Sequence, residues 1–271
     1  MNTPRTLALL CVLSLVFAHS ASARDFVVRR APGHDLELRV IVVDADAPPR
    51  TIVTSVNPLK LTTEGRFALP ADYRTVEELE EAAKKGVTEA QAVLGQFYET
   101  GNLGLERSTQ EAAKWYERAA QSGSAVAQNN LGCMYVSGDG VPQNFQRGRQ
   151  WLSAAASQGY APAQGNLGFC YFWGLPDQSY ESAITWLSRA ASARIGQADF
   201  YLGLIWLDRG TLALAYDCFS HSVAHGYEQA RQLRDLVRAA LPKGSLDDAQ
   251  QGSAVGSVSG SKVTVIGPNQ P

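Results

Sequence analysis

Apolar positions recur along this chain with two periods. Over the middle, Ala90, Leu94 and Phe97/Tyr98 fall at i, i+4 and i+7/i+8, one face of a helix. Trp115, Ala119 and Ala120 repeat that spacing in the next segment. Nearer the N-terminus the period is two: Leu36, Leu38, Val40 and Val42 alternate with Glu37, Arg39, Ile41 and Val43, and Ile52, Thr54 and Val56 form a second run. Turn formers in DADAPPR separate the runs, which predicts a β-hairpin, with Phe26 to Arg30 as a candidate third strand. A hairpin alone is marginal in water, so it is expected to lean on the first helix or meet a partner.

The helical pattern is a repeat. AQAVLGQFYETG from Ala90, AQNNLGCMYVSG from Ala127 and AQGNLGFCYFWG from Ala163 align, and ADFYLGLIWLDRG from Ala198 keeps the Leu-Gly pair. The pairs Leu94-Gly95, Leu131-Gly132, Leu167-Gly168 and Leu202-Gly203 stand 37, 36 and 35 residues apart. A second motif alternates with the first. AAKWYERAAQSG, GRQWLSAAASQG and SAITWLSRAASAR carry Trp115, Trp151 and Trp186 at one position, Cys218 takes it in the fourth copy, and a half-copy, VEELEEAAKKG, ends at Gly86. Gly101, Gly138 and Gly174 are placed to close the first helix of each unit, and Gly86, Gly123 and Gly159 the second. The internal Gly of Leu-Gly lowers helix propensity by about 1 kcal/mol. It implies a neighbouring helix close enough to exclude a side chain.

The unit A-x-x-x-L-G-x-x-Y-x-x-G, a short loop, then W-x-x-x-A-A-x-x-G resembles the Sel-1-like repeat, a relative of the tetratricopeptide repeat. The resemblance covers roughly residues 75–241 and is clearest from Ala127 to Gly159. It weakens in the fourth unit, where Trp206 replaces the tyrosine, Cys218 the tryptophan, and the loop after Asp208 is shortened. It implies a mostly α fold, an α-solenoid of stacked helix-turn-helix repeats behind a short N-terminal β-hairpin segment. Helix 228–241, closed by Pro242, reads as its C-terminal cap.

Arg5, the apolar run Leu7 to Ala18 and the small-residue pattern Ala21-Ser22-Ala23 read as a secretory signal cleaved after Ala23. A run of twelve apolar residues falls short of the roughly 20 that span a bilayer. The organisation expected is a leader (1–23), a β-rich segment (24–72), a repeat array (73–242) and a flexible Gly/Ser-rich tail (243–271) in which KVTVI, 262–266, is the one β-prone stretch. The expected compartment is the periplasm.

Composition narrows the functions. Of 271 residues 45% are hydrophobic and the formal charge is −2, or −3 once Arg5 leaves, so nothing draws the chain to nucleic acid. Export leaves Cys133, Cys170 and Cys218, an odd number read as small buried thiols. His221 and His225 stand four apart, but Ser222 occupies the place of the zincin Glu and no third ligand is apparent. Neither a Gly-rich phosphate loop nor a G-x-S-x-G elbow occurs. No catalytic residue, metal or cofactor is expected; the partner is another protein.

By analogy with tetratricopeptide geometry, the groove-facing residues are Ala92, Gln96, Glu99 and Thr100 in unit one and Asn129, Cys133, Val136 and Ser137 in unit two. In unit three they are Gly165, Phe169, Phe172 and Trp173, and in unit four Phe200, Leu204, Leu207 and Asp208. The groove is then polar at one end and apolar at the other. Phe169, Phe172, Trp173, Phe200 and Leu204, with Asn129, are the expected partner-binding residues, because an exposed aromatic cluster marks a docking site. The size, leader, β-rich N-terminus and few repeats resemble exported Sel-1-like immunity proteins. These neutralise type VI secretion phospholipase effectors, notably of the phospholipase D type. The alternative is an adaptor or scaffold for envelope assembly or signalling.

Overall fold

The computed structural model describes residues 69–174 and 177–241 in full, together with the backbone of three N-terminal strands. The expected leader, the turn run 44–49 and the tail with its 262–266 stretch lie outside the described residues. β1 (Asp25–Arg30), β2 (Glu37–Val43) and β3 (Arg50–Ser55) form an antiparallel sheet in the order β1-β2-β3. Asp25 pairs with Val43 and Arg30 with Leu38; Glu37 pairs with Ser55 and Val42 with Arg50.

Ten helices follow among the described residues: α1 (Val76–Lys84), α2 (Thr88–Thr100), α3 (Thr109–Gln121), α4 (Ala125–Ser137), α5 (Phe145–Ser157), α6 (Ala161–Trp173), α7 (Tyr180–Ser192), α8 (Gly196–Asp208), α9 (Leu212–Ala224) and α10 (Ala230–Ala240). Each of α2 to α9 is 13 residues long. Local chemistry fixes their ends. Ser108, Asn144 and Ser179 cap α3, α5 and α7 by accepting the N–H three residues on, as Thr75 does for α1. Gly101, Gly138 and Gly174 close α2, α4 and α6 in the left-handed conformation, as the sequence predicts. At the turn after α7, where earlier units carry Gly86, Gly123 and Gly159, Arg194 takes the same positive φ.

Consecutive helices pack as hairpins, α2 on α3 through α8 on α9, with α10 closing the stack on α9. The first helices of successive units also approach one another, α4 on α6 and α6 on α8, which makes theirs the inner, concave row.

The Leu-Gly pair sets the spacing within each hairpin. A Cβ on Gly95, Gly132, Gly168 or Gly203 would come within 2.8, 2.8, 2.7 or 2.6 Å of Tyr116, Leu152, Leu187 or Phe219. Those four partners occupy one repeat position, the residue after Trp115, Trp151, Trp186 and Cys218. Helix propensity is thus given up for close approach.

A second device ties each unit to the one before. Gln91, Gln128 and Gln164 donate from Nε2 to the carbonyls of Ala83, Ala120 and Ala156, at 3.1, 3.1 and 3.4 Å. Each of these carbonyls already accepts the N–H of the turn glycine, Gly86, Gly123 or Gly159, and the glutamine adds a second donor from the next unit.

Candidate protein-binding face

The inner row α2, α4, α6 and α8 presents the candidate face. At its N-terminal end Gln96 and Glu99 are half-buried and polar. The Tyr116 hydroxyl donates to the Glu99 carboxylate at 2.7 Å. Behind it runs a chain of amides: Asn129 donates to Asn130 at 3.1 Å, and Asn166 donates to Asn129 at 2.9 Å and to the Cys133 sulfur at 3.2 Å. Asn130 also reaches the Tyr116 oxygen. Asn129, Asn130 and Asn166 are all buried, and the Asn166 Oδ1 is a buried acceptor with no partner among the described residues. Burial, then the neighbouring Glu99 charge, holds the Tyr116 hydroxyl well above its ordinary range, so it stays a donor.

Sequence reasoning had named Glu99, Asn129 and Cys133 of this network, and Asn129 alone of its amides. The signal for the rest was Asn standing before the Leu of Leu-Gly in units two and three, Asn130 and Asn166, inside otherwise apolar helices.

The aromatic end differs from expectation. Phe169, Phe172, Phe200 and Leu204 are at most 1% exposed, and only Trp173 of that cluster keeps a partly open surface. Phe172 stacks on Tyr180 of α7 at 6.1 Å and meets Tyr201 of α8 at 5.4 Å. Phe169 lies against Trp173 and Tyr201, at 5.5 and 5.2 Å. Phe200 packs on Phe219 of α9 and on Tyr227, at 5.8 and 5.2 Å. These rings fill the seams between α6, α7, α8 and α9, and they are not an open docking patch. Asn129, expected at the surface, is fully buried. The correction has one physical cause. Inner helices packed on one another turn the positions two before the Leu, after the Gly and after the tyrosine into the inter-helix seam, where the tetratricopeptide analogy aims them at the groove.

The thiols are free, Cys133 and Cys170 buried and Cys218 half-buried. Burial raises all three, Cys170 and Cys218 to about 12, so none is a thiolate nucleophile near neutrality. His225 does not wait for a metal: its Nδ1 lies 2.7 Å from Asp199 Oδ2, while His221 stacks beside it at 6.3 Å. No three His, Cys, Asp or Glu side chains among the described residues gather as a metal ion would need.

Asp199 stands where the first three units carry the capping Gln. Burial raises its carboxyl above the ordinary range, and the hydrogen bond and charge of His225 only oppose this. A raised folded-state value means that folding binds the proton more tightly. The stabilisation is complete in acid and is lost as pH rises through the folded value. Asp199→Asn is therefore expected to gain most over the parent at neutral pH, with the gain shrinking as pH falls into the carboxylate range. Thermal melting of both chains across that range checks it; a pH-independent difference would refute the assignment.

Residues 88–124, 125–160 and 161–194 match the family model of the Sel1 repeat. The chain carries three Sel1 repeats. The family match stops at Arg194, and the hairpin of α8 and α9 continues the stack with the same close approach, Gly203 to Phe219. No curated protein matches the sequence.

Among solved structures, a protective antigen of uropathogenic Escherichia coli with an SLR fold is 31% identical, with a TM-score of 0.54. The match covers 58% of this chain and 35% of the antigen, so the chain spans about a third of that protein's length. A Sel1 repeat protein from Oxalobacter formigenes is 23% identical with a TM-score of 0.57, over 69% of this chain and 78% of the other. An immunity protein from Pseudomonas aeruginosa is 25% identical with a TM-score of 0.40, over 57% and 59%.

Proposed function

We propose that this chain is a non-enzymatic periplasmic protein-binding solenoid. We further propose that it is an immunity protein that binds and inhibits a type VI secretion phospholipase effector of the phospholipase D type. The Sel1 solenoid is a protein-interaction fold. The observation that carries the binding role is the half-open polar end of the inner face. There Gln96 and Glu99 are presented to solvent, with Glu99 held in place by the Tyr116 hydroxyl and the buried amides behind it. Polar groups fixed before binding lose little freedom when a partner arrives. Trp173 is the one expected contact residue of the aromatic end that keeps an open edge; Phe169, Phe172, Phe200, Leu204 and Asn129 act from beneath, by holding the helices that form the face. The leader pattern of Arg5, Leu7 to Ala18 and Ala21-Ser22-Ala23 supports the periplasm, where such an effector would arrive. The phospholipase partner rests on the resemblance of size, leader and repeat number to exported Sel-1-like immunity proteins.

The test is to capture partners from the envelope of the source organism with tagged 24–271, then assay the captured protein. A stoichiometric complex with one phospholipase, its lipid hydrolysis suppressed on adding the solenoid, is the expected result. Recovery of envelope-assembly machinery, with no phospholipase inhibited, would retire the immunity reading in favour of a scaffold.

A further inference from the structure

The two ends of the inner row are unequally covered. The first inner helix, α2, keeps Val93, Gln96, Tyr98 and Glu99 partly open. The last, α8, is buried at every residue from Gly196 to Ile205 and again at Leu207. As the end of the row it has an inner neighbour, α6, on one side only, and its hairpin partners α7 and α9. Three helices leave a side of a terminal helix open; Phe200 is covered by Phe219 and Tyr227, yet Leu204 and Leu207 are also no more than 1% exposed. The middle helix α4 is buried as fully, but its inner positions are Asn129 and Cys133, which Asn166 of α6 closes by hydrogen bonds. A helix apolar on all sides has to be covered on all sides. The further neighbour of α8 is β1, which runs alongside it.

We infer that β1 is the resting occupant of the C-terminal end of the concave face, and that any partner using this end displaces it. The contrast along the groove then has an internal cause. The polar end is open to solvent, and the apolar end is covered by the chain's own first strand. β1 is an edge strand: one side pairs with β2, and the other pairs with no strand among the described residues. Among the described residues neither β2 nor β3 approaches a helix as closely. One strand of 6 residues on one helix is a small contact. It falls well below the roughly 1,600 Å² of a stable protein interface. A partner with an interface of ordinary size therefore outcompetes it. This inference concerns the cover itself and holds whichever protein binds.

The test reads side-chain exposure on α8. Hydroxyl-radical footprinting of mature 24–271, with tandem mass spectrometry of the tryptic peptide from Ile195 to Arg209, reports oxidation at Leu204 and Leu207. Val28→Pro puts a residue with a fixed φ and no N–H in the middle of β1 and is expected to raise that oxidation roughly threefold or more, with helicity unchanged. Leu204 and Leu207 still protected in a chain whose helices remain intact would overturn the inference. Should Val28→Pro unfold the whole protein, the unsubstituted chain in rising urea decides. Oxidation at these residues before the helices melt supports a displaceable strand, and oxidation coincident with melting overturns it.

Discussion

Phe172→Ala is expected to unsettle the fold before it affects any partner. The ring is fully buried, stacked on Tyr180 and set against Tyr201 and Trp173, so it joins α6, α7 and α8 at once. Removing it leaves a cavity that stiff neighbouring rings cannot fill, at a cost of about 3–5 kcal/mol. In a protein of this size each kcal/mol lowers the melting temperature by about 2–4 °C. In a solenoid the damage concentrates in the units that lose the contact, so unit three and unit four should open first. Thermal melting followed by helical circular dichroism checks the loss, and hydrogen exchange on α6 and α8 locates it. A chain that melts as the parent does would return Phe172 to the surface. Trp173→Ala is the control, because that ring is partly open and its removal deletes less buried area. Combining the two changes would confuse binding with unfolding.

Gly148→Ala is the second large effect, and its sign opposes helix propensity. Alanine in a helix gains about 1 kcal/mol over glycine. At Gly148, however, a Cβ would lie 2.6 Å from Val136 Cγ2 and 2.8 Å from the Gly132 carbonyl oxygen. Gly132 in turn has the Gly148 carbonyl oxygen 3.0 Å from where its own Cβ would be. The two glycines let α4 and α5 meet backbone to backbone, and a main-chain oxygen cannot rotate aside as a side chain can. Overpacking of this kind costs about 1–3 kcal/mol and occasionally more. Less the propensity gain, a net loss of about 1–2 kcal/mol is expected, because backbone atoms cannot give way, and it is read as a lower urea midpoint. A midpoint equal to or above the parent's would show that the helices part without penalty.

Both effects bear on how the site is built. The polar end of the inner face depends on Glu99, Tyr116, Asn130, Asn129 and Asn166 meeting across α2, α3, α4 and α6. Those contacts span up to 37 residues of sequence and exist only while the hairpins keep their spacing. The glycines that set the spacing are thus as much a part of the face as the side chains on it.

The repeat phase, the helix ends and the close approach at Leu-Gly were all legible in the sequence, because each is local or strictly periodic. A cap needs only its own helix, and a glycine recurring at 37, 36 and 35 residues announces a contact that recurs with it. The aim of Phe172 was not legible. One helix face merges into the next over a few tens of degrees, and the tightness of the inner row decides which side of that boundary a side chain takes. The amide chain was half legible, as asparagines in unfavourable places, but only the packed helices show that they meet. The partner of the apolar end was beyond the pattern altogether. β1 and α8 are joined by no periodicity, and only the tertiary structure, by setting the first strand beside the last inner helix, decided what covers Leu204 and Leu207.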